Sequence, residues 1–228
     1  MTLFESAEVL ALDKPAGVSM ATSSKAGKSE AEVIARLLSA CGARAVGPLF
    51  LVHRLDAGTT GVVLLAKSAD AHRALSLAFQ EHRASKTYRA LVWGHPVPAA
   101  GVLDAPLGRD PKDGRKMRAA AEGKRAVTRY RTLRRHPSVA DLELSPETGR
   151  THQIRVHLAA KGHPIVGDDL YGGGARWKGV GDAGLREALR AVPRPLLHAS
   201  RIAVPELGLE VEAPLPEDFA RLKARFAG

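Results

Sequence analysis

Residues 49–66 read LFLVHRLDAGTTGVVLLA, and this stretch decides how the rest of the chain is interpreted. The apolar, β-branched runs at residues 49–52 and 61–66 are typical of buried strands. Residues 53–60 between them are polar and contain a glycine, so we expect a loop held by two strands. Binding and catalytic side chains concentrate on loops of this kind. The sequence therefore indicates a functional loop that includes Asp56.

The segments on either side of this loop predict a mixture of strands and helices. Ser29 and Glu32 have the spacing of a capping box, which predicts a helix at residues 30–41, and Ser68 can cap a second helix. Further strands are predicted at residues 9–12, 87–93, 127–133, 139–144, 196–204 and 209–211, and further helices at 151–161, capped by Thr151, and at 216–226. Several adjacent strands lack a helix between them, which favours an α+β fold over a doubly wound parallel sheet.

The length and composition fit one soluble globular domain spanning residues 1–228. Apolar residues make up 45% of the chain and charged residues 25%, as in ordinary folded proteins. The single cysteine, Cys41, is interpreted as a buried core thiol, and one cysteine allows no disulfide within the chain. The N-terminus lacks a basic start followed by an apolar run, and no apolar run is long enough to span a membrane, so a cytoplasmic location is expected.

The charge balance favours a polyanionic partner. The chain has 34 Lys and Arg against 24 Asp and Glu, a formal net charge of +10. Such a surplus attracts nucleic acid or anionic lipid but does not identify which of them binds.

Two other chemistries are less well supported by the sequence. Residues 26–29 imitate the end of a phosphate-binding P-loop, but Thr22 stands where that motif needs a glycine, and Ser29 is already explained as a helix cap. The nine histidines include no HExxH pair, and His152 and His157 are five apart, which is the wrong spacing for a shared helical face. We therefore predict no metal site. A two-metal nuclease would need converging carboxylates, and no acid lies near Asp56 in sequence.

Three segments taken together are far more specific. They are HRLDAGTTG at residues 53–61, SKTYRA at 85–90 and TGRTHQIRVHL at 148–158. In this order and spacing they resemble the RluA family of RNA pseudouridine synthases, and the similarity continues through GHPIVGD at 162–168, LYG at 170–172 and LHA at 197–199. The resemblance implies a pseudouridine synthase-like catalytic domain with a mixed, largely antiparallel sheet flanked by helices and loops. Only eight residues precede Val9, so we expect a minimal catalytic domain without the S4-type RNA-binding domain of many relatives.

The resemblance also implies a reaction and its residues. Isomerising uridine to pseudouridine needs no redox change or hydrolysis, so no cofactor is expected. Asp56 would be the catalytic carboxylate, acting on the sugar, on the base, or as a stabiliser of charge during elimination. Arg155 would lower the pKa of Asp56 and orient it, or else contact phosphate. Tyr88 would stack on uracil and exchange a proton, or else be a core tyrosine.

The remaining expectations concern RNA. Arg54 would fill the gap left when the uridine leaves its stack, or else contact phosphate. The basic segment 109–125, either a solvated hairpin loop or a backbone-binding element, would grip RNA together with Lys86. The residues expected to contact RNA are His53, Arg54, Lys86, Arg109, Lys116, Arg150 and His152. The expected partner is ribosomal RNA, transfer RNA or both, bound by a monomer. Two alternatives remain: a non-catalytic RNA-binding or assembly factor, which would tolerate loss of Asp56, and a metal-dependent nuclease, which would cleave RNA.

Overall fold

The computed structural model describes residues 1–22, 29–44 and 46–226. Two compact units make up the chain: Met1–Lys86 with Ala199–Pro214, and Thr87–His198 with Leu215–Gly228. The expectation of a single domain stays a prediction. Residues 26–28 of the P-loop-like segment lie outside the described residues.

The secondary structure follows the predicted order with several additions. The strands are β1 (Thr2–Glu5), β2 (Val9–Lys14), β3 (Phe50–Leu51), β4 (Thr60–Ala66), β5 (Ser85–Trp93), β6 (Ala100–Asp104), β7 (Leu107–Arg109), β8 (Met117–Ala119), β9 (Val127–Arg135), β10 (Val139–Pro146), β11 (Leu197–Val204) and β12 (Leu209–Glu212). The α-helices are α1 (Glu30–Cys41), α2 (Ala69–Gln80), α3 (Gln153–Ala160), α4 (Ala183–Arg190) and α5 (Glu217–Arg225). This mixture confirms the α+β prediction.

In the first unit, β2 lies antiparallel between β1 and β4, and β12 pairs with β11. Every residue of β4 is buried, as its unbroken apolar run predicts. Gly61 at the start of β4 has φ +111°, and a Cβ there would lie 2.1 Å from the carbonyl oxygen of Ala199. Only glycine fits this close approach. The start of β4, which follows the candidate loop, is therefore fixed in place by its close approach to Ala199.

The two helices of the first unit begin where their caps predict. Ser29 Oγ accepts from the Glu32 N–H at 3.3 Å, and the Glu32 carboxylate accepts from the Ser29 N–H at 2.9 Å. Ser68 caps α2 through the Ala71 N–H. Both predictions are confirmed, because capping depends on residues only two or three apart. Cys41 is buried, as expected.

In the second unit, β10 lies antiparallel between β5 and β9, and β6 pairs with the other side of β9. The apolar core of this unit collects residues of these strands and of α3 and α5, among them Leu91, Leu142, Leu158 and Phe219. Strands β7 and β8 form a separate two-stranded hairpin, in which Arg109 is opposite Met117. The predicted basic hairpin is confirmed as an element.

One local prediction needs correction, and two strands were not expected. The N-cap of α3 is His152, not Thr151, and it has the left-handed conformation (φ +55°) with no side-chain cap. Before the helix, the side-chain oxygen of Gln153 accepts a hydrogen bond from the Arg150 N–H at 3.0 Å. Strands β1 and β6 were not expected, because both are short and mostly exposed and show little alternation of apolar and polar residues.

No helix in the described ranges is both long and apolar enough to cross a membrane.

Candidate active site

The polar loop between β3 and β4 is held by a buried lysine. Lys14 has no solvent exposure, and its Nζ donates to the carbonyl oxygens of Pro15 at 2.9 Å, Ala57 at 3.1 Å and Thr59 at 2.8 Å. An ammonium has three N–H groups and is tolerated inside a protein only when these are satisfied. Two of the acceptors belong to the turn that follows Asp56. Lys14 therefore fixes the backbone next to this carboxylate.

Further contacts on the same loop set the direction of its side chains. The Gly17 N–H donates to the Ala57 carbonyl oxygen at 2.8 Å, and the Thr59 N–H closes the turn on the Asp56 carbonyl oxygen at 3.1 Å. Leu55 is buried, Arg54 is exposed and Asp56 is half-buried. The loop thus buries the side chain of Leu55, while its sequence neighbours Arg54 and Asp56 remain at least partly accessible to solvent.

His53 at the start of the loop is engaged with the protein itself. Its Nε2 accepts from the Leu64 N–H at 3.1 Å, which requires this nitrogen to be unprotonated. The ring stacks on Phe79 with centroids 4.9 Å apart and planes at 12°. Burial and, second, the positive charge of Lys86 lower the pKa of His53 to about 3. The imidazole is therefore neutral at physiological pH and ties the loop to β4 and α2.

Lys86, the second predicted RNA contact in this unit, lies against the same aromatic ring. Its Nζ is 5.7 Å from the centroid of Phe79, within the range of a cation–π contact. Burial lowers the pKa of Lys86. The structure thus brings His53 and Lys86 together on Phe79 of α2.

In the second unit, Arg155 of α3 forms a buried bidentate ion pair with Asp168. Nε of Arg155 lies 2.7 Å from one carboxylate oxygen and Nη2 lies 2.8 Å from the other. Asp168 has no solvent exposure and Arg155 has 8%. A bidentate pair fixes the plane of the guanidinium as well as its position. Asp168 is a partner that the sequence did not predict.

The segment that leads into α3 is held by Gln153. Its side-chain oxygen accepts from Thr148 Oγ1 at 2.7 Å, and its side-chain nitrogen donates to the Val127 carbonyl oxygen at 2.9 Å and to Thr128 Oγ1 at 3.0 Å. All these groups are buried. Thr148 in turn accepts from the Val127 N–H. This network rigidly joins the start of α3 to β9, and Arg155 lies one helical half-turn beyond it.

The other predicted residues of this unit fall into two groups. Tyr88 lies on β5 opposite Leu144, half-buried against the apolar core. Arg109 and Arg150 are exposed and donate to backbone carbonyls of the basic hairpin region, Gly114 and Arg125 respectively. Lys116 and His152 are half-buried.

Sequence reasoning missed three residues that contact the predicted residues or their loop: Lys14 in the first unit, and Asp168 and Tyr171 in the second. Lys14 and Asp168 carry charges, and an isolated charged residue is most often exposed. The only signal for Asp168 was its place in the matched segment at residues 162–168. Tyr171 accepts a hydrogen bond from the Met117 N–H and contacts His152 and Arg155. Within the described ranges, no group of three or more His, Cys, Asp or Glu side chains is arranged to hold a metal ion.

Comparison with known proteins connects this geometry to a family. Residues 8–160 match the family model for RNA pseudouridylate synthases. The ribosomal large subunit pseudouridine synthase D of Pseudomonas aeruginosa is 39% identical over 222 residues, which are 95% of this chain and 68% of the relative. The protein of the same name from Xanthomonas campestris is 40% identical over 226 residues, 96% of this chain and 67% of the relative. The solved structure of human RNA pseudouridylate synthase domain containing 4 superposes with a TM-score of 0.78 at 29% identity, covering 99% of this chain and 92% of that one.

Proposed function

Because this chain belongs to the RNA pseudouridylate synthase family of isomerases, we propose that it converts uridines of large-subunit ribosomal RNA to pseudouridine, with Asp56 as the catalytic carboxylate. The observation that carries the proposal is the family match over residues 8–160, which includes every residue predicted for the site. The substrate follows from the printed names of the bacterial relatives. The monomeric state and the cytoplasmic location stay predictions.

The reaction requires one well-placed carboxylate, and the uracil ring must rotate after it is detached from the sugar. The bond between C1′ and N1 of the uridine breaks, C1′ bonds to C5, the C5 proton leaves to solvent and N1 gains a proton. The fixed backbone around Asp56 supports its role, because a carboxylate on a loop clamped by Lys14 needs little reorganisation when the substrate arrives.

Arg155 is proposed to orient Asp56. The bidentate pair with Asp168 fixes the plane and position of the guanidinium, which suits a role in orienting a second carboxylate. Tyr88 is proposed to stack on the uracil ring, and Arg54, which is exposed next to Asp56, to take the place of the flipped base. If Arg155 contacts phosphate instead, its substitution will weaken RNA binding rather than slow the reaction at saturating RNA.

The basic hairpin β7–β8 is proposed to bind the RNA backbone. Arg109 and Lys116 lie on it or in its loop, and Arg150 donates to a carbonyl oxygen at its base. Residues 109–125 carry seven Lys and Arg against three Asp and Glu. This segment therefore keeps a net positive charge, although Arg115 pairs with Asp113 and Arg118 pairs with Glu122. His53 is neutral, and its Nε2 accepts a hydrogen bond from the Leu64 N–H. These observations favour a role in holding the loop over a direct contact with RNA.

The test is an isomerisation assay on unmodified transcripts of large-subunit ribosomal RNA carrying tritium at C5 of uridine. Each conversion releases one C5 hydrogen to water, so released tritium counts turnovers. We expect activity in the presence of a metal chelator, and a loss of at least about 10³-fold in Asp56→Asn. Asp70→Asn, which changes an exposed aspartate of the same unit, should behave like the wild type.

Four results would contradict the proposal. Cleavage of the transcript that stops with chelator would indicate a nuclease, and full activity of Asp56→Asn would remove its catalytic role. Activity on transfer RNA transcripts with none on ribosomal RNA would overturn the assigned substrate. RNA binding without any isomerisation on either RNA would favour a non-catalytic RNA-binding factor.

A further inference from the structure

The hydroxyl of Tyr171 joins two pieces of the second unit that are far apart in sequence. It accepts a hydrogen bond from the Met117 N–H at 2.9 Å and lies 2.7 Å from Nδ1 of His152. Met117 is the first residue of β8, directly after Lys116, and is opposite Arg109 on β7. One phenol oxygen therefore connects the loop end of the β7–β8 strand pair to the N-cap of α3.

The ring of Tyr171 contacts the guanidinium that the reaction is proposed to use. The Cζ atom of Arg155 lies 5.0 Å from the ring centroid, and the ring of His152 meets the Tyr171 ring edge-on at 5.6 Å and 81°. A cation over an aromatic face is attracted by the ring quadrupole, and this attraction depends on where the ring lies. The position of Tyr171 therefore bears directly on the position of Arg155.

The backbone around these contacts couples them further. Tyr171 ends a single 3-10 turn, Asp169–Tyr171, that starts just after Asp168, and the Asp168 carbonyl oxygen accepts from the Gly173 N–H at 2.7 Å. The carboxylate and the aromatic ring that contact Arg155 thus belong to one tight turn. His152 holds a left-handed backbone, which costs a non-glycine residue about 1 kcal/mol and persists only where neighbours enforce it.

We propose that Tyr171 is a positioning residue that couples the basic hairpin to Arg155, so that RNA held by the hairpin sets the orientation of the guanidinium. The inference rests on the proposed function, in which the hairpin binds the RNA backbone and Arg155 serves the reaction. Three contacts of a single side chain support it: the hairpin backbone through Met117, the α3 N-cap through His152 and the guanidinium through the ring face.

The test is a double-mutant cycle between the Tyr171 hydroxyl and the hairpin. Tyr171→Phe keeps the ring over Arg155 and removes both hydroxyl contacts. Lys116→Ala removes a positive charge next to Met117 and should weaken the binding of RNA by the hairpin. Single-turnover tritium release from the large-subunit ribosomal RNA transcript gives the rate constant at saturating RNA, and filter binding gives the dissociation constant. We expect Tyr171→Phe to lower the rate constant about 3- to 30-fold, the effect of losing one or two hydrogen bonds.

Coupling makes a sharper statement about the double variant. In the wild-type background, Lys116→Ala should weaken binding and also lower the saturated rate constant. In the Tyr171→Phe background it should still weaken binding but change the rate constant by less than about 2-fold, because the connection is already broken. A merely structural tyrosine would lower stability without producing this separation of rate from binding.

A matched control is available in the same unit. Tyr130 is buried, and its hydroxyl donates to the Pro98 carbonyl oxygen at 2.9 Å rather than to a group of α3 or the hairpin. Tyr130→Phe should lower the melting temperature about as much as Tyr171→Phe does, yet leave the rate constant unchanged. Tyr171→Leu, which removes the ring as well, should be slower than Tyr171→Phe.

The outcomes separate this inference from the proposed function. A wild type without isomerase activity on any transcript would defeat the proposed function. An active wild type in which the Lys116→Ala effect on the rate constant is the same in both backgrounds would defeat the coupling alone. A Tyr171→Phe variant as fast as the wild type would defeat it as well.

Discussion

The ammonium of Lys14 lies 2.8 Å from the carbonyl oxygen of Thr59, although the two residues are 45 apart in sequence. The same nitrogen reaches the carbonyl oxygen of Ala57, 43 residues away. Lys14 is the last residue of β2 and is opposite Gly61 in the pairing with β4. The strand register therefore places a buried cation at the turn that follows Asp56, and the conformation of the loop that carries Asp56 depends on the sheet.

The first prediction concerns this cation. Lys14→Met keeps the length and apolar stem of the side chain but leaves the Ala57 and Thr59 carbonyl oxygens without their ammonium donor. We expect the free energy of unfolding in urea to fall by about 2 kcal/mol or more, because buried polar groups that lose a partner keep their desolvation cost. The rate constant at saturating RNA should fall at least about 10-fold while the RNA dissociation constant changes little. Lys161→Met, at an exposed position, serves as the control, and equal behaviour of the two variants would contradict the role of Lys14.

The second prediction concerns the start of β4. Gly61→Ala would place a Cβ 2.1 Å from the Ala199 carbonyl oxygen at a residue with φ +111°. Since the obstacle is backbone, neither side can move cheaply, and we expect a loss of about 3 kcal/mol or more in the free energy of unfolding. Gly181→Ala, where a Cβ meets nothing within 4 Å, should change it by less than about 0.5 kcal/mol. Chemical denaturation of both variants gives the comparison, and a stable Gly61→Ala protein would show that the approach to Ala199 is looser than described.

The third prediction concerns the pH dependence of stability. The pKa of His53 falls from 6.5 in the unfolded chain to about 3 in the folded protein. Between these values the unfolded state binds the additional proton, so the contribution of His53 is complete above pH 6.5 and is lost as the pH falls toward 3. The slope from this residue is at most about 1.4 kcal/mol per pH unit at 25 °C.

His53→Gln tests this assignment, because its side-chain oxygen can still accept from the Leu64 N–H but does not titrate. Unfolding free energies measured between pH 4 and 7 should depend less steeply on pH in this variant than in the wild type. His82→Asn, which changes an exposed histidine with a left-handed backbone, should retain the wild-type slope. Identical slopes in His53→Gln and the wild type would mean that the imidazole is not held neutral.

The fourth prediction concerns the buried pair of Arg155 and Asp168. Arg155→Lys keeps the charge but cannot form two parallel hydrogen bonds to the carboxylate, so we expect a loss of about 1 to 3 kcal/mol in the free energy of unfolding. The rate constant at saturating RNA should fall by at least about 10-fold. Arg131→Lys alters an exposed pair with Glu143 and should cost less than about 0.5 kcal/mol. A variant of Arg155 that binds RNA weakly yet reacts at the normal rate would instead favour a phosphate contact.

Much of the fold follows from short-range patterns. The capping box of Ser29 and Glu32 marks the start of α1, and the apolar run of β4 marks a strand buried on both faces. The motif containing Asp56 could be located on a loop for the same reason. The N-cap of α3 could not, because Thr151 is the better capping residue by type, yet the side chain of Gln153 binds the Arg150 N–H and leaves His152 at the cap.

What the sequence by itself determined is the order of elements, the surplus of positive charge and the motifs that carry the family resemblance. Only the tertiary structure decided which polar groups meet: Lys14 with the Ala57 and Thr59 carbonyls, Arg155 with Asp168, and the Tyr171 hydroxyl with Met117. The physical reason is range. Helix caps and strand patterns depend on residues a few positions apart, whereas a buried hydrogen bond forms only where the packed fold brings a donor to about 3 Å from an acceptor.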